Sequence, residues 1–115
     1  MNDIDRIYSF LGLACKAGKV VSGDETSERT IKIGKAVLVI IAQDASDNTK
    51  KKFNDVCSYR GIESRVFGTK ERLGKSIGKD TRSVVAVCDK EFSKRMIELI
   101  GDISVKGGDG SIGKN

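Results

Sequence analysis

Residues 4–15 place Ile4, Ile7, Tyr8, Leu11, Ala14 and Cys15 on one stripe at helical spacing, and Gly18 supplies a stop. A short strand is expected at Val20–Val21. Ser22, with Glu25 three residues on, reads as a capping box that opens a helix from about Asp24 to Ile33, ended by Gly34. The run Ala36–Ala42 is continuously apolar and rich in β-branched residues, the pattern of a strand buried on both faces of a parallel or mixed sheet. After a loop from Gln43 to Asn48, Phe53, Val56 and Cys57 mark a helix from Thr49 to Arg60, with Gly61 ending it. Ser64–Phe67 is a short strand, and Thr69 is placed to cap a short helix that carries Leu73 and ends near Ile77–Gly78. Val84–Cys88 is a second buried strand. Asp89 then caps a last helix, with Phe92, Met96, Leu99 and Ile100 on its apolar face.

Strands that alternate with helices predict an α/β fold, here a three-layer α-β-α sandwich with a four-stranded mixed sheet. The chain has 115 residues, which suits one domain with a core that needs neither disulfides nor metal. That domain is expected to span residues 1–101. The glycine-rich segment 102–115 offers few core residues and is expected to be a flexible C-terminal tail. In such sandwiches ligands gather at loops leaving strand ends and at helix N-termini. Three places qualify: Ser22–Glu25, Gln43–Asp47 and Lys79–Ser83.

Charge narrows the choice of partner. Lys and Arg total 21 against 16 Asp and Glu, a net charge of +5. A surplus of that kind favours anionic partners such as phosphate backbones, although lysines that are merely solvated give the same count. The three cysteines are far apart, and Asp3, Asp5 and Arg6 interrupt any secretory apolar stretch at the start. Reduced, structural thiols in a cytoplasmic protein are the expectation. There is no histidine and no paired-cysteine motif, so a zinc site is not expected. The missing histidine also excludes Ser–His and Cys–His catalysis. Neither a cofactor nor catalysis is expected, and no apolar run approaches the length of a membrane span.

Some motifs mislead. Gly68-Thr-Lys-Glu-Arg-Leu-Gly74-Lys75-Ser76 resembles a P-loop, but five residues separate its glycines where a P-loop has four. Lys50-Lys51-Lys52 lies early in a helix, where cations oppose the helix dipole. Function and simple solvation explain it equally well. The segment from Lys70 to Arg82 is mostly basic and reads either as a solvated helix face or as a phosphate-binding edge. Gly23-Asp24-Glu25 opens a helix whose first-turn amides could bind phosphate, while the carboxylate of Glu25 could accept hydrogen bonds from base N–H groups.

The apolar strand running into Ala42-Gln43-Asp44-Ala45, together with Leu73-Gly74-Lys75-Ser76-Ile77-Gly78-Lys79, resembles the kink-turn RNA-binding superfamily of ribosomal proteins L-seven-Ae and L-thirty-e. The pattern follows the bacterial YlxQ-like branch, and the likeness covers about residues 5–100. It implies a non-catalytic RNA-binding protein, probing a bent or bulged RNA and associated with ribosomes or translation. A monomer when free is expected. The alternative is a protein-interaction module of the same fold that has lost kink-turn recognition. Carried over from the family, the RNA-binding face would take Gly23, Asp24, Glu25, Thr26 and Arg29 from a helix N-terminus, then Gln43 and Asp44, then Lys79, Arg82, Ser83 and Val84. Lys32, Lys35 and Lys75 are expected to extend a basic edge beside them. Kink-turn members carry Gly-Thr-Asn-Glu followed by a Lys. This chain places Glu25 in the Asn slot, Thr26 in the Glu slot and Arg29 in the Lys slot.

Overall fold

The computed structural model describes residues 2–107. Its elements run α1 (Asp3–Lys16), β1 (Val20–Ser22), α2 (Asp24–Lys32), β2 (Leu38–Ile41), α3 (Asp47–Arg60), β3 (Glu63–Val66), α4 (Lys70–Ser76), β4 (Val84–Val87) and α5 (Lys90–Gly107). The strands form one sheet in the order β1-β4-β2-β3. β4 is antiparallel to both its neighbours, and β2 pairs with β3 in parallel. The mixed sheet expected from the pattern is therefore present. Its two central strands are the two apolar runs, and every residue of β2 and β4 is buried. The edge strands β1 and β3 are only partly covered.

Helices cover both faces. α1 packs with α4 and α5, and α2 packs with α3. Between these layers lies a core that includes Ile7, Leu11, Ile31, Phe53, Leu73 and Met96, all fully buried. α1 approaches α4 closely at Gly12, where a Cβ would stand 2.7 Å from the Ser76 carbonyl oxygen. Tyr8 ties the same two helices together. Its hydroxyl accepts the Thr69 amide at 3.1 Å, and Arg72, held by Asp5 at 2.8 Å, stacks over its ring. Burial pushes the Cys57 thiol up to about 11, which suits an inert structural cysteine, since the thiolate is the reactive form.

The expected caps at Thr69 and Asp89 form, accepting the amides of Arg72 and Phe92. The capping box at Ser22 does not. Ser22 stays in β1, in register with Val85, and its hydroxyl accepts a hydrogen bond from Arg82 at 3.0 Å. Gly23 is the N-cap of α2, without a side-chain cap. α3 begins two residues earlier than expected, at Asp47, because Ser46 accepts the Thr49 amide. α5 also runs past the expected domain limit at Gly101, continuing to Gly107. Ile103 packs against the core and offsets the roughly 1 kcal/mol that a glycine costs inside a helix. The remainder of the expected tail, 108–115, lies outside the described residues.

Two stability measurements check this packing. Val39 is fully buried, so Val39→Ala should cost about 1–3 kcal/mol in urea unfolding, through lost methyl burial and the cavity left behind. An unchanged midpoint would contradict its central position. Ending the chain after Gly101 should lower the melting temperature by removing Ile103 from the core. An unaltered melting temperature would mean that the extension of α5 adds no stability.

Candidate nucleic-acid interface

Because β4 runs against its neighbours, its beginning meets the ends of β1, β2 and β3. Two backbone hydrogen bonds fix the junction: Gly23 donates to the Val84 carbonyl at 3.1 Å, and Ala42 donates to the Ser83 carbonyl at 2.8 Å. The Gln43 amide donates to the Gly68 carbonyl at 2.7 Å, and the Lys70 amide donates to Asp44 Oδ1 at 2.8 Å. One end of the sheet thus gathers the start of α2, the loop after β2, the start of α4 and the segment before β4. This is the loop end.

Gly23 sets the geometry of the first of these pieces. Its φ of 96° and ψ of 152° fall in a region open essentially to glycine alone, while a Cβ there would touch nothing. Conformation, not space, requires glycine. With no side chain to cap, Gly23 leaves the first-turn amides of α2 without a side-chain acceptor. Asp24 and Glu25 occupy this positive end of the helix, where carboxylates are favourable. Both are exposed, as is Arg29, and Thr26 is half-buried. Glu25, Arg29 and Lys32 line a shallow recess of about 240 Å³ along the outer side of α2, with Glu28 and Ile33. Glu28 bridges Lys32 at 2.9 Å and Lys52 at 2.8 Å, and these two cations hold its carboxyl below the usual range, Lys52 most strongly.

Arg82 is a clamp. Its amide donates to the Lys70 carbonyl at 3.0 Å, its Nε to Ser22, and a terminal nitrogen to the Thr81 carbonyl at 2.9 Å. Asp44 acts similarly through the Lys70 amide. Val84 is fully buried, so its side chain belongs to the core and only its carbonyl takes part, holding Gly23. Ser83 is half-buried, and Gln43, Asp44, Lys75 and Lys79 are exposed. Lys75 and Lys79 have no ion pair among the described residues. They flank the turn after α4, with the Lys79 amide on the Gly74 carbonyl at 2.8 Å.

The single basic edge expected from the sequence is divided. Gly23–Arg29, Gln43, Asp44 and Arg82–Val84 come together at the loop end. Lys32 closes the far end of α2, about 12 Å along the helix from Asp24. Lys35 lies further on, beside the strand ends opposite the loops, since Val37 donates to the Val87 carbonyl at 2.8 Å. Lys70, from the basic segment Lys70 to Arg82, sits between Asp44 and Arg82. One contributor escaped the sequence reading. Gly74 carries the loop before β4, because a Cβ on it would overlap the Asp80 carbonyl oxygen. A glycine in the middle of a short helix was the available signal.

Residues 5–97 match the family described as ribosomal protein L7Ae/L30e/S12e/Gadd45. The chain belongs to that family. It is 42% identical over 93 residues to the RNA-binding protein YlxQ of Bacillus subtilis (strain 168), covering 81% of this chain and 93% of the relative. It is 27% identical over 98 residues to the large ribosomal subunit protein eL8 of Cenarchaeum symbiosum, covering 84% and 78% respectively. Among solved structures, a protein of unknown function from Bacillus halodurans superposes with a TM-score of 0.81 at 38% identity, covering 84% of this chain and 97% of that one. The Giardia lamblia 15.5kD RNA binding protein shares the fold, with a TM-score of 0.72 at 19% identity and 91% of each chain covered.

The placement of Gly74 yields a direct test. Gly74→Ala must push residues 79–82 away from α4 and should cost roughly 1–3 kcal/mol, the scale of an overpacked contact. Thermal unfolding checks it, and a variant as stable as the parent would mean that the loop yields freely.

Proposed function

We propose that the chain is a non-catalytic RNA-binding protein, associated with ribosomes or translation, whose loop end grips a bent or bulged RNA of the kink-turn type. The observation that carries this reading is the opening of α2. Gly23 is locked against Val84, the first-turn amides lack a side-chain cap, and Arg29 stands one turn along. Such amides suit phosphate or base oxygens, and helix N-termini favour anions. Sequence-specific RNA recognition takes place at loops and bulges, where bases are unstacked and their edges free. The naming of the Bacillus subtilis relative as RNA-binding supports the same conclusion.

Specificity would rest on Glu25 and Thr26. An ionised carboxylate only accepts hydrogen bonds, whereas the Asn of kink-turn members both donates and accepts. Glu25 therefore favours a base N–H or amino group and repels an acceptor edge. A standard kink-turn RNA should bind this chain more weakly than its own target.

Gel shifts on one kink-turn RNA compare the parent with the double change Glu25→Asn and Thr26→Glu. The double variant should gain roughly 1–3 kcal/mol, the scale of one good base contact. A parent that already binds tightly, with no gain from the double change, would remove these two residues from the specificity account. Failure of both proteins to bind any structured RNA at low salt would instead favour a protein-interaction module, for which the exposed carboxylates of Asp24 and Glu25 would be the contact groups.

A further inference from the structure

The end of the sheet opposite the loops carries a second concentration of positive charge. There β1, β2 and β3 begin and β4 ends. The Cys88 amide donates to the Lys19 carbonyl at 2.8 Å, which puts Lys19 beside the end of β4. Lys35 lies three residues before β2 and close enough to Cys88 to oppose the upward push that burial gives this thiol. Lys90 opens α5 two residues after Cys88. Arg60 reaches the same side, donating to the Lys32 carbonyl at 3.0 Å. Lys19, Lys35 and Lys90 are exposed and have no ion pair among the described residues.

Only part of this charge is offset. Asp89, which accepts the Phe92 amide at 2.9 Å, and Glu91 both keep their negative charge on either side of Lys90, whereas Glu63 is bridged to Arg65 at 2.7 Å. Lys19 and Lys35 have no acid adjacent in the chain. Helix-dipole effects account for Lys16 and Lys32 in the last turns of their helices, where cations are favoured. They do not account for Lys19 and Lys35, which lie outside helices. Lys90 sits in a first turn, where the dipole disfavours a cation.

We infer that this pole, built on Lys19, Lys35 and Lys90, is a second RNA-binding surface that holds the phosphate backbone of a paired segment, separate from the loop end. Strands of four residues set the two ends at least about 13 Å apart, so the two surfaces can engage different stretches of RNA. Exposed lysines are point charges on flexible stems, which fit sequence-independent phosphate contact better than base reading. An A-form duplex presents its phosphates for such contact by shape alone.

Fluorescence anisotropy with a fully paired RNA duplex of about 20 base pairs, lacking any bulge, tests this surface. The triple variant Lys19→Gln, Lys35→Gln and Lys90→Gln is compared with Arg29→Gln, Lys75→Gln and Lys79→Gln, which removes equal charge elsewhere. The first should bind the duplex about tenfold more weakly and lower the slope of log affinity against log salt by about 2 to 3. The second should lose less. On a short bulged hairpin the order should reverse. Equal losses on the duplex for the two variants, or no loss for the first, would overturn the inference. So would a polyglutamate peptide that binds the parent and not the first variant while duplex binding is unchanged, which would assign the pole to an acidic protein segment. Because the duplex arm needs no bulge, failure of the kink-turn reading leaves this result interpretable.

Discussion

The antiparallel insertion of β4 between β1 and β2 governs the rest of the molecule. Had β4 run parallel to β2, its beginning would lie at the opposite end of the sheet. The loop before it would then be separated from Gly23 and Asp44. Instead, the Gly23–Val84 and Ala42–Ser83 hydrogen bonds join three chain segments that are distant in sequence. The clamps at Arg82 and Asp44 have reach only because that pairing brings their partners to within a few ångströms. The same insertion sends the end of β4, with Cys88 and Lys90, toward Lys19 and Lys35. Both charged poles therefore follow from one strand direction.

Much of this was legible in the chain. Ala36–Ala42 and Val84–Cys88 announced the two central strands because burial on both faces leaves no polar alternation. Thr69 and Asp89 signalled helix starts by a purely local geometry, a side-chain oxygen meeting an amide three residues on. The likeness to the ribosomal protein family, read from Ala42–Ala45 and Leu73–Lys79, agreed with the family match over residues 5–97. What could not be read depended on distant partners. Ser22 looked like a cap until Arg82 and the pairing with Val85 claimed it. Lys35 looked continuous with Arg29 and Lys32, since residue spacing does not reveal that the chain leaving α2 carries it to the opposite pole. Gly101 looked like the limit of the domain because the packing of Ile103 is tertiary.

The loop end is not simply basic. Asp24, Glu25 and Asp44 share it with Arg29, Lys70 and Arg82. Asp44 and Arg82 are engaged with the protein's own backbone and serve as scaffolding. That leaves a face with mixed charge, where attraction alone would discriminate little and the match of donors to acceptors matters more. Its shape also depends on the N-terminal helix, because Tyr8 holds the Thr69 amide and Arg72 closes over the ring.

The position of β4 also has a consequence for the nascent chain. The strand synthesised last lies inside the sheet, and β1 has no other strand to pair with. A ribosome that has released residues up to the end of β3 has freed only the parallel β2–β3 pair and an unpartnered β1. Closing the sheet then requires Val20 to find Val87 across most of the domain, a long-range step of the kind that slows folding. The loop end draws on segments from β1 to β4, so it is complete only once β4 has joined the sheet.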